Sequence, residues 1–169
     1  MVHLYTGDGK GKTTCAMGLA LRMAGRGKRV VIAQFLKGGG SGERLAFEAL
    51  PNVTLIPVPE QIKFVFAMSG EEKAEAAAEM QKILQAAARL AASCDMLVLD
   101  EICGAVSTGL IPPEEVTALL DGCPEALEVV LTGRDPVPEL VRRATYVTEM
   151  KKRKHPFDQG AAAREGIEF

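Results

Sequence analysis

Between Thr6 and Thr14 the chain reads TGDGKGKTT. A glycine loop between a strand and a helix turns several backbone N–H groups inward, and the helix dipole adds positive potential there, so its natural occupant is a phosphate. Gly7, Gly9 and Gly11 let the chain wrap closely. Lys12 can reach phosphate oxygens, and Thr13 presents the hydroxyl that ligates Mg2+ in such loops. Asp8, Thr14 and a second lysine, Lys10, complete the segment. The phosphate-loop pattern G-x-x-x-x-G-K-[ST] ends correctly at Gly11–Lys12–Thr13, but its first glycine is replaced by Thr6. That departure bears on the geometry of the loop rather than on its affinity for phosphate.

A second element, Met96–Leu97–Val98–Leu99, is an apolar run closed by Asp100 and Glu101. Acids at the end of a buried strand hold Mg2+ or its water shell in phosphate-loop proteins, and a neighbouring one can activate water. Thr132–Gly133–Arg134 closes another apolar run. These elements alone suit a P-loop ATPase, a small-molecule kinase or a regulatory ATP-binding module. None of them says what is attacked.

The segments that must position these residues alternate. Val2–Tyr5, Arg29–Leu36, Val53–Val58, Met96–Leu99, Leu127–Leu131 and Thr145–Glu149 read as strands. Helices are expected over Thr13–Ala24, over Glu43–Leu50, from the capping box Ser69–Gly70–Glu71–Glu72 to about Ser93, and from Pro112–Pro113 to Gly122. Asp135 is expected to cap a further helix beginning at Pro136. Such alternation implies right-handed crossovers and a three-layer α/β fold of the P-loop NTPase kind, a mostly parallel sheet with helices on both faces. Ligands in such sheets bind at the carboxyl ends of the strands. Thr6–Thr14, Gln34–Lys37, Asp100–Glu101 and Thr132–Arg134 should therefore meet in one crevice.

With 169 residues, a formal net charge of −2 and a pI near 5.8, the chain suits one domain, residues 1–169, and argues against a general nucleic-acid binder. Its apolar runs are strand-sized, so neither a membrane span nor a signal peptide is expected. Cys15, Cys94, Cys103 and Cys123 form no C-x-x-C pair, which fits scattered thiols in a reducing cytoplasm better than a zinc site.

TGDGKGKTT, QFLKG (Gln34–Gly38), GERL (Gly42–Leu45), VLDE (Val98–Glu101), TGR (Thr132–Arg134), KHPFDQG (Lys154–Gly160) and the terminal GIEF (Gly166–Phe169) follow one another in that order. Together, over essentially the whole chain, they resemble the P-loop type of ATP:cob(I)alamin adenosyltransferase, the corrinoid adenosyltransferases of vitamin B12 synthesis and salvage. The resemblance implies that Co(I) of a reduced corrinoid, cobalamin or cobinamide, attacks the ribose 5′-carbon of ATP and that triphosphate leaves whole. It implies a loop holding the nucleotide in the reverse sense to that of hydrolases, an electron donor such as a flavoprotein, and a homodimer. Residue by residue, the match assigns the nucleotide to Gly7–Thr14 and Arg134 and associates Thr13, Glu101 and Asp100 with Mg2+. Arg22, Gln34 and Lys37 assist, although Arg22 equally suits a solvated helix surface. A leaving group carrying about four negative charges needs fixed donors along its length, which Lys10, Lys12 and the N–H groups of Gly7 to Thr14 would supply.

Phe64 and Phe66 flank Val65 in IKFVFAM. Two rings at this spacing suit core packing. In the resembled family an aromatic pair here, often with tryptophan second, lines the lower face of the corrinoid. Many relatives also carry a segment before the first strand that covers the corrinoid; this sequence opens on the strand, so a more open pocket is expected. The run Lys151–Lys152–Arg153–Lys154 suits a solvated cluster or an attractor for an anionic substrate. His155 is not expected to ligate cobalt, because the reaction gains from removing the lower ligand.

Overall fold

The computed structural model describes residues 1–168; Phe169, the last residue of the GIEF motif, lies outside the described residues. One six-stranded sheet, parallel throughout, runs through them in the order β3-β2-β4-β5-β1-β6. The strands are β1 (Val2–Thr6), β2 (Val30–Gln34), β3 (Val53–Leu55), β4 (Met96–Asp100), β5 (Glu128–Thr132) and β6 (Tyr146–Glu149). The connecting helices are α1 (Lys12–Ala24), α2 (Gly42–Glu48), α3 (Gly70–Ala91), α4 (Ile102–Ser107), α5 (Pro113–Gly122) and α6 (Pro138–Arg143). None of them is long and apolar enough to cross a membrane.

The central strands β2, β4 and β5 are almost wholly apolar because both faces are covered. Val31, Ala33, Leu97, Leu99, Val129 and Leu131 pack on one side with α3, α4, α5 and α6 residues such as Met80, Ile102, Val116 and Leu140. Their neighbours Val30, Ile32, Met96, Val98 and Val130 pack on the other with Ala16, Met17 and Ala20 of α1 and Phe47 of α2. A period of two along each strand thus divides the core between two helical layers. Each fully buried aliphatic side chain adds roughly 1.5–3 kcal/mol.

Register brings the strand ends level. Gln34 lies beside Asp100, Tyr5 beside Thr132, and Thr6 beside Glu149. The crevice-forming segments therefore emerge along one edge in the order β2, β4, β5, β1, β6.

The α3 capping box forms as expected. Ser69 Oγ accepts from Glu72 N at 3.2 Å, and Glu72 Oε2 accepts from Ser69 N at 2.9 Å. Other boundaries move for local reasons. β2 stops at Gln34, since Leu36 adopts a left-handed φ of 55°. β3 stops at Leu55, ahead of Pro57 and Pro59. Asp135 does not cap a helix at Pro136: its φ is 49°, it spends itself on the turn after β5, and α6 begins at Pro138 with Val137 at the N-cap. Helix α4 has no counterpart in the expectations, because Ile-Cys-Gly-Ala-Val-Ser is short and mostly buried and so lacks an amphipathic period.

Candidate active site

A crevice of about 930 Å³ opens along the carboxyl edge, lined by Asp8–Thr14, Lys37, Gly38, Gly40–Glu43, Glu101, Arg134, His155 and Gly166–Glu168. Its floor is the β1–α1 loop, and the wall beside it belongs to β2, β4 and β5.

The loop is pinned from outside. Thr6 is buried and still pairs as a strand residue: Met150 N donates to Thr6 O at 2.8 Å. The left-handed backbone begins only at Gly7, with φ 99°. The residue that breaks the phosphate-loop pattern is thus the last residue of β1. Gly9 N donates to Met150 O at 2.7 Å, so this N–H is committed to the fold and is not among the donors free for phosphate. A methyl on Gly7 would stand 2.4 Å from Met150 O, and one on Gly9 2.7 Å. Here the glycines admit the chain that follows β6, a role the sequence pattern did not show. Lys12, almost wholly buried, closes the loop by donating to Gly7 O (2.8 Å) and Gly9 O (2.9 Å).

Asp100 is the hub of the wall. It is fully buried, and its carboxylate is bonded from α1, β5, β2 and the turn after β2. Its Oδ1 accepts from Thr13 Oγ1 of α1 at 2.9 Å and from Thr132 Oγ1 of β5 at 2.7 Å. Its Oδ2 accepts from Lys37 Nζ at 2.8 Å and from Gln34 Nε2 of β2 at 3.3 Å. The Thr132 hydroxyl also accepts from Glu101 N at 2.8 Å, fixing the turn in which Glu101 takes a left-handed φ of 62°. Gln34 is held in turn by Arg44 Nη1 on its Oε1 at 3.0 Å, and Arg44 Nη2 reaches Ile56 O.

Charge is closely balanced around the crevice. Lys10, Lys12, Lys37 and Arg134 face Asp8, Glu43, Asp100, Glu101 and Glu168. Burial pushes the Lys12 ammonium down. Burial also pushes the Glu101 carboxyl up, and the neighbouring Asp100 charge adds to it. At the rim Lys10 Nζ donates to Ile167 O and Glu168 Oε1, both at 2.9 Å, and Arg164 and Lys10 hold the Glu168 carboxyl down at about 2.

Hydroxyl and carboxylate oxygens 2.9 Å apart, with an ammonium 2.8 Å from each residue, form a hard donor pair already suited to a cation. Among the described residues no group of three or more His, Cys, Asp or Glu is clustered as a metal site. Mg2+ keeps several waters and takes few protein ligands beside substrate phosphate, so the Thr13–Asp100 pair has the chemistry to hold it.

Comparison with known proteins decides the kinship. The model of the family described as ATP:corrinoid adenosyltransferase BtuR/CobO/CobP matches residues 1–169. The chain belongs to that family. It is 34% identical to the corrinoid adenosyltransferase of Escherichia coli K12 over 177 residues, covering 100% of this chain and 85% of that protein. It is 35% identical to the corrinoid adenosyltransferase of Salmonella typhimurium LT2, again over 100% of this chain and 85% of the relative. Among solved structures, a KaiC-like protein from Pyrococcus horikoshii OT3 superposes with a TM-score of 0.55 at 17% identity, over 91% of this chain and 73% of that one, a likeness of fold alone.

Most residues singled out from the family's motifs converge. Asp8, Lys10, Thr13, Thr14, Lys37, Glu101 and Arg134 line the crevice. Asp100 and Gln34 stand behind it. The Asp8 carboxylate turns away to accept from Lys152 N at 2.9 Å. Arg22 is not brought in; it lies exposed in the last turn of α1. The motifs assigned no role to Thr132, Met150, Glu168 or Ser41, whose Oγ is buried at the crevice wall without a partner among the described residues. Thr132, inside TGR, and Glu168, inside GIEF, lay in motifs; Met150 and Ser41 carried no signal.

Phe64 and Phe66 do not pack into the core. Phe64 precedes a 3-10 turn, Val65–Ala67, and Phe66 lies within it; the rings are 76% and 87% exposed and stack on each other with centroids 5.5 Å apart and planes 14° from parallel. Their segment springs from the crevice rim: a methyl on Gly38 would stand 2.5 Å from Glu60 O.

Proposed function

We propose that this protein transfers the 5′-deoxyadenosyl group of ATP to Co(I) of a reduced corrinoid, with residues 1–169 acting as one catalytic unit. The observation that carries the reading is the exposed, mutually stacked Phe64–Phe66 pair, on a segment that runs from Glu60, against Gly38 of the phosphate-loop crevice. A site that only moves phosphate has no use for two bare rings on a segment that touches its wall, whereas a flat apolar macrocycle has.

The electron pair of Co(I) attacks C5′ of the ribose. The Co–C bond forms as the C5′–O bond breaks, and the bond's electrons leave on triphosphate. Lys12, Lys10, Arg134 and the inward N–H groups of the loop hold that leaving group by charge-assisted hydrogen bonds, which gain most where charge develops. Mg2+, held by Thr13 and Asp100 with Glu101 beside it, would neutralise part of the triphosphate charge, which the crevice's own closely balanced charges do not. Phe64 and Phe66 offer cobalt no lone pair. Packed beneath the corrin they exclude water from the lower axial position and so ease reduction of Co(II), a dry setting being one lever on a metal's potential.

A one-electron donor such as a flavoprotein, a homodimer and a cytoplasmic location complete the proposal. Co(I) chemistry and the free thiols Cys15, Cys94, Cys103 and Cys123 suit a reducing compartment. Phosphorus analysis of the products tests the reading: triphosphate should appear in step with adenosylated corrinoid. Accumulation of ADP or phosphate without corrinoid would establish an ATPase or kinase instead.

A further inference from the structure

The chain leaves β2 through a strained turn. Leu36 adopts a left-handed φ of 55°, unusual for a bulky side chain, and its N–H goes to Met80 Sδ at 3.4 Å. The turn carries Lys37 back across the end of the sheet. Lys37 Nζ lies 2.8 Å from Thr13 Oγ1 and 2.8 Å from Asp100 Oδ2. Thr13 gives its proton to Asp100 Oδ1, so the lone pair it offers to Lys37 is the one a metal would take. A fully buried carboxylate requires a counter-charge. Lys37, with 29% of its side chain exposed, supplies that charge from the solvent side of the crevice and can withdraw to it.

We propose that Lys37 is an internal stand-in for the divalent cation, closing the Thr13–Asp100 site to free metal until metal arrives together with the triphosphate. A free divalent ion would have to expel the ammonium and gain only two protein oxygens. A metal–nucleotide complex brings phosphate oxygens that complete the metal's shell and also receive the displaced ammonium, adding a third lysine to Lys10 and Lys12. Metal and nucleotide then bind as one unit. The proposal rests on Thr13 and Asp100 being the metal-side residues.

Mn2+, followed by electron paramagnetic resonance, is the probe. Wild-type protein without nucleotide should bind it weakly, and Lys37→Met should bind it at least about tenfold tighter, since a like charge is removed from the site. Mn2+ should also raise the thermal midpoint of Lys37→Met more than that of wild type. Adding Asp100→Asn should abolish the gain. Lys37→Gln, whose amide can still donate to Asp100, carries the same prediction if Lys37→Met folds poorly. The inference is overturned if neither variant binds Mn2+ more tightly than wild type, or if the gain survives Asp100→Asn. A different result tests the underlying reading: if Thr13→Val and Asp100→Asn leave Mn2+–ATP binding unchanged, the metal lies elsewhere and the inference falls with that assignment.

Discussion

The phosphate loop and the aromatic segment are built in opposite ways. In the loop, Lys12 is buried, Gly7 and Gly9 are fitted against Met150, and Asp100 is bonded from β2, β5, α1 and Lys37. Phe64 and Phe66 touch chiefly each other, and their short 3-10 turn is closed by the local bond from Ala67 N to Phe64 O at 2.9 Å. Under the proposed function the difference follows from the two substrates. A departing triphosphate is stabilised by dipoles already fixed in place, because donors that must reorganise lose much of their effect. A flat apolar ligand needs only a matching surface, whose burial is completed when the ligand arrives. One half is finished by the fold; in the proposal the other is finished by the substrate.

Substitutions can break that contrast. The largest effect is expected from Lys12→Ala, which removes a charge-assisted donor and the tie between Gly7 and Gly9. Turnover should fall by about 10²–10³, and ATP affinity, measured by calorimetry, by roughly 1.5–3 kcal/mol. Unchanged affinity in the folded variant would remove Lys12 from the phosphate site. Next comes Gly7→Ala, which combines a positive φ with a clash against Met150 O. Urea unfolding should show a loss of roughly 2–4 kcal/mol. Gly39→Ala, with nothing within 4 Å of the added methyl, should stay within about 0.5 kcal/mol. Similar losses from both would mean that the loop is not pinned as described.

A smaller effect concerns pH. The Glu101 carboxyl is pushed up first by burial and then by Asp100. Its contribution to stability is therefore full below the ordinary carboxylate range and is lost as pH rises through the raised folded value. At pH 8 Glu101→Gln should raise the thermal midpoint by about 1–3 °C, with the difference vanishing near pH 4, while activity falls. A lower midpoint at pH 8 would show that the Glu101 charge supports the fold.

The crevice was legible because its residues cluster at strand ends, and a parallel sheet brings strand ends together whatever lies between. Asp100, Thr13 and Lys37 are far apart in sequence yet bonded, as that topology requires. What could not be read depends on contacts the sequence does not order: Met150 under Gly9, Thr132 under Asp100, and Glu168 against Lys10. The aromatic pair was legible as a motif and ambiguous as a structure. F-V-F alternates like a strand, and only the 3-10 turn at Val65 leaves both rings exposed. Arg22 shows the converse limit, since a match to the family's motif did not carry its side chain to the crevice.

The central claim is that the loop serves the leaving group while the exposed rings serve the cobalt. It is tested most directly by the rate of adenosylation in Phe66→Ala from two starting states, cob(II)alamin with a reductant and chemically prepared cob(I)alamin. Phe66 is 87% exposed, so the variant should match wild type in stability to within about 0.5 kcal/mol. ATP affinity should be unchanged, and the rate from cob(II)alamin should fall much further than the rate from cob(I)alamin. Equal losses from both starting states, accompanied by a lowered thermal midpoint, would make Phe66 a packing residue and contradict the account.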